Sequence, residues 1–150
     1  MGNTKKSLTK SLLFVVVQFA CLGLIVLSGP IFPANPALLG MELVGLGLGV
    51  WAILTMRIGH FNIAPDPLSW SKLVTLGPYE LIRHPMYLSL LLITLPLIIN
   101  SFSFLRLFLW LGLLADLVLK LNYEEGLLID SLDGYMEYTE KSYRLIPYIY

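Results

Sequence analysis

Two groups of residues hold most of the chemistry this chain can offer. One is Asp116, Lys120 and Glu124; the other is the polar run Leu73-Val-Thr-Leu-Gly-Pro-Tyr-Glu-Leu-Ile-Arg-His-Pro-Met-Tyr87. Residues four apart stack on one face of a helix. A carboxylate at the adjacent pair Glu124-Glu125 can take hydroxyls or an ammonium group, and a cation at Lys120 can hold an acidic substrate. Asp116 lies in an apolar stretch, where a charge is costly and usually points at a cavity or a partner. An internal Asp116–Lys120 pair, with Lys120 snorkelling at the boundary, is the structural alternative. In the polar run, Gly77-Pro78 signals a turn and Pro85 fits the first turn of a helix, where its missing N–H costs nothing. Arg83 and His84 then stand at the lip of a helix N-terminus, beside free N–H groups and a positive dipole end suited to an anion or carboxylate. Tyr79 and Tyr87 bring aromatic faces to the same lip. The alternative is a membrane-surface loop, with Arg83 and His84 facing headgroups and the tyrosines in an interfacial belt. No Ser-His-Asp set is present, and two histidines with one cysteine argue against a metal site.

The composition says what must position these groups. Of 150 residues, 57% are hydrophobic and 13% charged, with mean hydropathy +0.76, which points to a membrane protein. Ten basic and ten acidic residues cancel, so no broad basic surface suggests nucleic acid. The lone Cys21 excludes an intrachain disulfide framework. We expect one all-α domain over residues 1–150, an integral membrane helical bundle with four transmembrane helices. The spans fall at about 12–32, 37–56, 85–100 and 104–121, with cytosolic segments at about 57–84 and 122–150. The first is read as a retained span, because its apolar run passes Gly29-Pro30 to reach Phe32. Gly45 and Gly49 share a face of the second and suit close helix packing. Pro96 is expected to kink the third.

Charge sets the orientation. Lys5, Lys6, Lys10, Arg57, Lys72, Arg83, Lys141 and Arg144 fall on one side of such a four-span bundle, and Arg106 alone on the other. Both termini are therefore expected in the cytoplasm, in the inner (plasma) membrane for a bacterial source. The polar connection between Arg57 and His84 carries Pro65, Pro67 and Pro78; a structureless segment this long is uncommon unless it is functional. In the tail, Tyr135 and Tyr138 would share a face of a short helix that folds back under the bundle.

Taken together, these residues resemble the integral-membrane methyltransferases of the isoprenylcysteine carboxyl methyltransferase and phospholipid methyltransferase group. The resemblance is carried by Leu73-Val-Thr-x-Gly-Pro-Tyr79, Arg83-His-Pro-x-Tyr87, Glu124-Glu125, Gly134-Tyr-x-x-Tyr138 and Tyr143-Arg-Leu-Ile-Pro147. Phe61-Asn-Ile-x-Pro65 ahead of them looks like the small bacterial members. The likeness covers residue 57 to the end; the first two spans match only as hydrophobic helices.

The resemblance implies methyl transfer from S-adenosyl-L-methionine to a lipophilic acceptor at the cytosolic membrane face. It implies a cofactor site of Ser71, Lys72, Leu73, Val74, Tyr79, His84, Pro85, Met86 and Tyr87, with Glu124 as its carboxylate contact. The family's substrate-contacting arginine, four residues before that glutamate, falls on Lys120. Lysine keeps the charge but loses the bidentate fork. Lys120 and Glu124 are thus the candidate catalytic pair, and Lys120, Asp116 and Arg83 the candidate acceptor-binding groups. Ser89 stands where many members have glycine. Membrane lipids and a lipid-borne substrate are the expected partners, and nucleic acid is not. Two other readings exist: a non-catalytic membrane protein that kept the fold, and a nicotinamide-dependent membrane reductase with a related Arg-His-x-x-Tyr block.

Overall fold

Prolines and a serine start three of the four long helices. In the computed structural model, which describes residues 2–56 and 73–150, helix α1 spans Gly2–Leu27 and α2 spans Pro36–Met56. Helix α3 spans Pro85–Asn100, α4 spans Phe104–Ser131 and α5 spans Tyr135–Lys141, with a single 3₁₀ turn at Gly77–Glu80 before α3. Pro36 and Pro85 begin α2 and α3, where a missing N–H costs no hydrogen bond. Ser103 caps α4, its Oγ accepting from Arg106 N at 3.2 Å. The described residues are all-helical apart from one parallel bridge, between Ile82 and Tyr143.

Two antiparallel pairs make the bundle. In the first, α2 packs on α3 through its glycines. A Cβ at Gly45 would fall 2.9 Å from Leu92 Cβ, and one at Gly49 would fall 2.9 Å from Ser89 Oγ. The two backbones can approach this closely only because α2 offers no side chain there. In the second pair, α1 lies on α4. Its buried residues Ser11, Gln18 and Ile25 recur every seven positions, the spacing of a helix seam. The core forms where α1, α3 and α4 meet, from Ile25, Leu91, Leu97, Leu113 and Leu117. Outside it, Leu12, Val16, Phe19, Leu43, Val44 and Leu54 are exposed, so α1 and α2 turn apolar side chains outward. Thr9–Leu27 and Pro36–Met56 are each long and apolar enough to cross a membrane; α3 is apolar but shorter.

Two boundaries differ from those read in the sequence. Helix α1 closes at Leu27 rather than running on to residue 32, because Arg106 takes up its end. Arg106, 1% exposed, donates from Nη2 to Ile25 O at 3.3 Å and from Nη1 to Ser101 O at 2.9 Å. The C-terminal dipole ends of α1 and α3 thus converge on one guanidinium. Gly29 makes room for it, since a Cβ there would lie 2.8 Å from Arg106 Nη1. Helix α4 runs past residue 121 to Ser131, so Lys120, Glu124 and Glu125 belong to one continuous helix. It breaks only before Gly134, whose φ of 80° lies in the region glycine adopts without strain. The expected kink residue Pro96 lies inside α3, which continues through it as one helix.

Candidate functional site

The site is built where the entry of α3 meets the far end of α4. The chain before α3 is tied to the C-terminal tail by backbone bonds: Tyr143 N donates to Leu81 O at 2.9 Å, and Arg83 N to Tyr143 O at 2.8 Å. His84 N follows, donating to Arg144 O at 3.1 Å. Below this ladder, α5 buries Tyr135 and Tyr138, whose rings meet edge to face at 5.8 Å. The Tyr138 hydroxyl donates to the carbonyl of Tyr79, so the tail folds back under the bundle and grips the 3₁₀ turn. Gly77 opens that turn at φ 59° and packs on α2, where a Cβ would meet Thr55 Oγ1 at 2.9 Å.

Glu125 is the hub. Its Oε1 accepts from Arg83 Nε at 2.7 Å and lies 3.3 Å from His84 Nε2, while Arg144 Nε reaches Oε2 at 3.0 Å. Burial alone would raise its pKa. The hydrogen bonds and charges of His84 and Arg83 outweigh burial and hold the carboxyl at about 2. Arg83 completes its shell with Nη1, which donates to Thr139 O at 3.0 Å and to the Ser142 carbonyl. Arg83, expected on the acceptor side, therefore directs its donors into the protein and fastens the tail.

Glu124, the preceding residue of the same helix, points about 100° around the axis from Glu125 and meets the other edge of the same ring. Its Oε2 accepts from Tyr87 OH at 2.7 Å and lies 3.7 Å from His84 Nδ1. The His84 and Tyr87 rings stack with centroids 5.2 Å apart and planes 9° off parallel. One turn back along α4, Lys120 is 1% exposed; its Nζ donates to Gln18 Oε1 at 2.8 Å and sits 5.2 Å from the centroid of the Tyr87 ring. A further turn back, Asp116 is buried, and its Oδ2 has no hydrogen-bond partner among the described residues. The buried Tyr79 hydroxyl is likewise without a partner among them, and its pKa is pushed up by burial first and the Glu124 charge second.

The structure thus brings together His84, Tyr87, Glu124 and Lys120, with Tyr79 and Asp116 at the margins. Pro85 is buried at the first turn of α3; Met86, Leu73 and Val74 are half-buried. Ser71 and Lys72, expected on the cofactor side, lie outside the described residues. Glu125 was read from sequence only as the neighbour of Glu124, not as a hub, and Arg144 and Gln18 were not singled out as site residues. For Gln18 a signal existed, a polar residue on the seven-residue Ser11–Ile25 seam. The arrangement offers two stacked rings, a half-exposed carboxylate and a deep cation–carboxylate face. That set has the chemistry to hold a cationic, hydroxyl-bearing ligand beside the rings and a second group one turn deeper along α4. Compared with protein-family models, curated proteins and solved structures, the chain finds no match.

Proposed function

We propose that this chain is an integral-membrane methyltransferase that uses S-adenosyl-L-methionine to methylate a lipophilic acceptor at the cytosolic membrane face. The observation that carries the reading is the convergence of His84 and Tyr87, at the head of α3, on Glu124 of α4, with Lys120 one turn deeper. The residues suit the cofactor. Glu124 matches an ammonium group or a ribose diol, and the tyrosine rings match a sulfonium cation. The Tyr79 hydroxyl, without a hydrogen-bond partner among the described residues, fits a ligand with polar edges. The cofactor supplies an activated methyl group. Displacement in line asks for alignment and exclusion of water, so the absence of a serine or cysteine nucleophile among these residues is no obstacle.

In this reading α1 to α4 each cross the membrane, both termini are cytoplasmic, and the acceptor enters from the bilayer toward Lys120 and Asp116. Arg106, the one basic residue on the opposite side, is accounted for by its two carbonyl partners. Cysteines placed at Asn3, Ser71 and Ser103 in a Cys21→Ser background test the topology. Only position 103 should label from outside intact cells; labelling at 3 and 71 would overturn it.

A second reading, a non-catalytic membrane protein of the same fold, is favoured by the Lys120–Gln18 hydrogen bond, which gives Lys120 a structural task. Calorimetry with S-adenosylmethionine and the detergent-purified protein separates the two. Saturable binding that weakens in Tyr87→Phe and His84→Ala is expected; no binding by the folded wild type removes the enzyme reading.

A further inference from the structure

The chain after α5 closes into a turn of its own. Leu145 N and Ile146 N both donate to Tyr150 O, at 2.8 and 2.9 Å, and Tyr150 N donates back to Ile146 O at 3.0 Å. Within it Tyr148 holds a left-handed φ of 65°, which costs a residue with a Cβ and persists where the surroundings over-determine it. Here the bonds of the turn do so, together with the Tyr143 ring, whose centroid lies 5.0 Å from that of Tyr148. The turn buries Leu145 but leaves Tyr148 and Ile149 82% and 79% exposed, with Ile146 exposed beside them. A fixed turn that hides one apolar residue and displays three is shaped to meet an apolar surface rather than water.

Two observations say at what level that surface lies. The tail is bonded to the loop that enters α3, Tyr143 N to Leu81 O and Arg83 N to Tyr143 O. Leu76 and Leu81 of that loop are exposed too, and its Gly77 packs near the end of α2, where a Cβ would lie 3.2 Å from Trp51 Nε1. An exposed tryptophan near the end of an apolar helix marks the headgroup level of a bilayer. Arg144, which leads into the turn, meets Glu125 at 3.0 Å. Glu125 lies about 6 Å along α4 beyond residue 121, where the apolar span is read to end. The base of the turn is thus held beside the boundary between headgroups and acyl chains.

Charge says which kind of surface fits. Asp130, Asp133, Glu137 and Glu140 are exposed on the neighbouring ends of α4 and α5, against Lys141. The Arg144 guanidinium is taken up by Glu125, Asn122 and the Tyr150 ring. An anionic leaflet therefore has little to attract, and the attraction is apolar.

Resting on the four-span reading above, we propose that residues 145–150 are an interfacial anchor, which sinks Tyr148 and Ile149 into the headgroup–acyl boundary of the cytosolic leaflet. The partner is the bilayer itself, with neutral headgroups sufficient. A tyrosine suits the place, its ring in the apolar layer and its hydroxyl toward water. The anchor moors the tail to the membrane, and the tail in turn holds the Arg83–His84 loop and Glu125 in place.

The test uses the full chain in phosphatidylcholine nanodiscs at one copy per disc. Single spin labels are placed on Ile149→Cys, Val44→Cys and Asp133→Cys in a Cys21→Ser background, all at exposed positions. Collisions with oxygen, which concentrates in lipid, and with a nickel chelate, which stays in water, give the depth of each label. Val44→Cys should read as deep in lipid and Asp133→Cys as in water. Ile149→Cys should lie about 5–10 Å into the headgroup–acyl boundary, unchanged by added phosphatidylglycerol or salt. Adding Tyr148→Asp should shift that label toward water. Ile146→Cys reads the same depth should Ile149→Cys fail to fold. A label at 149 as open to nickel as the one at 133 overturns the anchor, as does one that enters lipid only with phosphatidylglycerol. Spin–spin broadening at 149 in discs holding two copies, with nickel access at one copy, would make the turn a contact between chains and overturns it as well. In each of these cases Val44→Cys in lipid leaves the membrane reading intact, and Val44→Cys in water overturns that reading itself.

Discussion

The guanidinium of Arg83 and the carboxylate of Glu125 meet at 2.7 Å with 7% and 5% of their side chains exposed, joining the entry of α3 to the far end of α4. Withdrawing two charges from water costs several kcal/mol each, so such a pair persists only when its remaining donors and acceptors are also filled. Here they are filled by His84, Arg144, Thr139 and Ser142. The pair therefore works as a fastening for the tail as well as a wall of the site.

Removing one partner leaves the other buried and uncompensated. Arg83→Met and Glu125→Gln should each destabilise the protein by about 3–5 kcal/mol, read as a fall in thermal midpoint in detergent. The double variant Arg83→Met, Glu125→Leu should be less harmful than the sum of the two singles. Additive losses would mean that the two side chains do not act together.

Acid should release the same fastening. The Glu125 carboxyl is held at about 2 against an ordinary value of 4.5. A depressed carboxylate contributes its full stability above the unfolded value and loses it as pH falls through the folded one. Thermal stability should therefore decline between about pH 4.5 and 2, and Glu125→Gln should flatten that decline. An unchanged slope in the variant would assign the acid sensitivity to other carboxylates.

Part of this arrangement is legible in the chain itself. The Arg83-His-Pro run placed His84 at the start of a helix, and the four-residue spacing put Asp116, Lys120 and Glu124 on one face of α4. The hub was not legible, because Glu125 is turned about 100° from Glu124 and its partners come from Arg83 and the tail. Those segments meet through tertiary contacts, the Ile82–Tyr143 bridge and the backbone bonds beside it, that no local spacing announces. Glu42 is a different case. It reads as a lone charge on an apolar helix, yet it is 6% exposed and its Oε2 has no hydrogen-bond partner among the described residues.

The glycines of α2 should divide by face. At Gly45 a Cβ would meet Leu92 Cβ at 2.9 Å and Ile93 N at 3.0 Å, and the backbone atom cannot yield without moving α3. Gly40 and Gly47 have nothing within 4 Å of that position. Gly45→Ala should cost about 1–3 kcal/mol, the range of an overpacked contact. Gly47→Ala should be neutral or mildly stabilising, since alanine is the better helix former. Gly49→Ala, 2.9 Å from Ser89 Oγ, should be relieved by adding Ser89→Gly. Equal thermal midpoints for the Gly45 and Gly47 variants would overturn the α2–α3 packing.

Glu124 and Lys120 share a face of α4 and should divide the work between cofactor and acceptor. On the methyltransferase proposal Glu124 would meet the water-borne cofactor, and in the structure it holds the Tyr87 hydroxyl. Lys120 is one turn deeper, against the same ring and against Gln18 of α1. Loss of a hydrogen bond to a charged group costs about 1.5–3 kcal/mol, so Glu124→Gln should raise the KM for S-adenosylmethionine tenfold or more. Lys120→Met should leave that KM within a few-fold and lower turnover of the acceptor instead. The structural alternative makes Lys120 only the partner of Gln18. In that case Lys120→Met and Gln18→Leu would both lower thermal stability, the double variant would be no worse than either single, and acceptor kinetics in the folded protein would not change. Steady-state kinetics and thermal midpoints on the same four proteins decide between them, because a substrate role moves kcat in Lys120→Met beyond what Gln18→Leu moves it at equal stability.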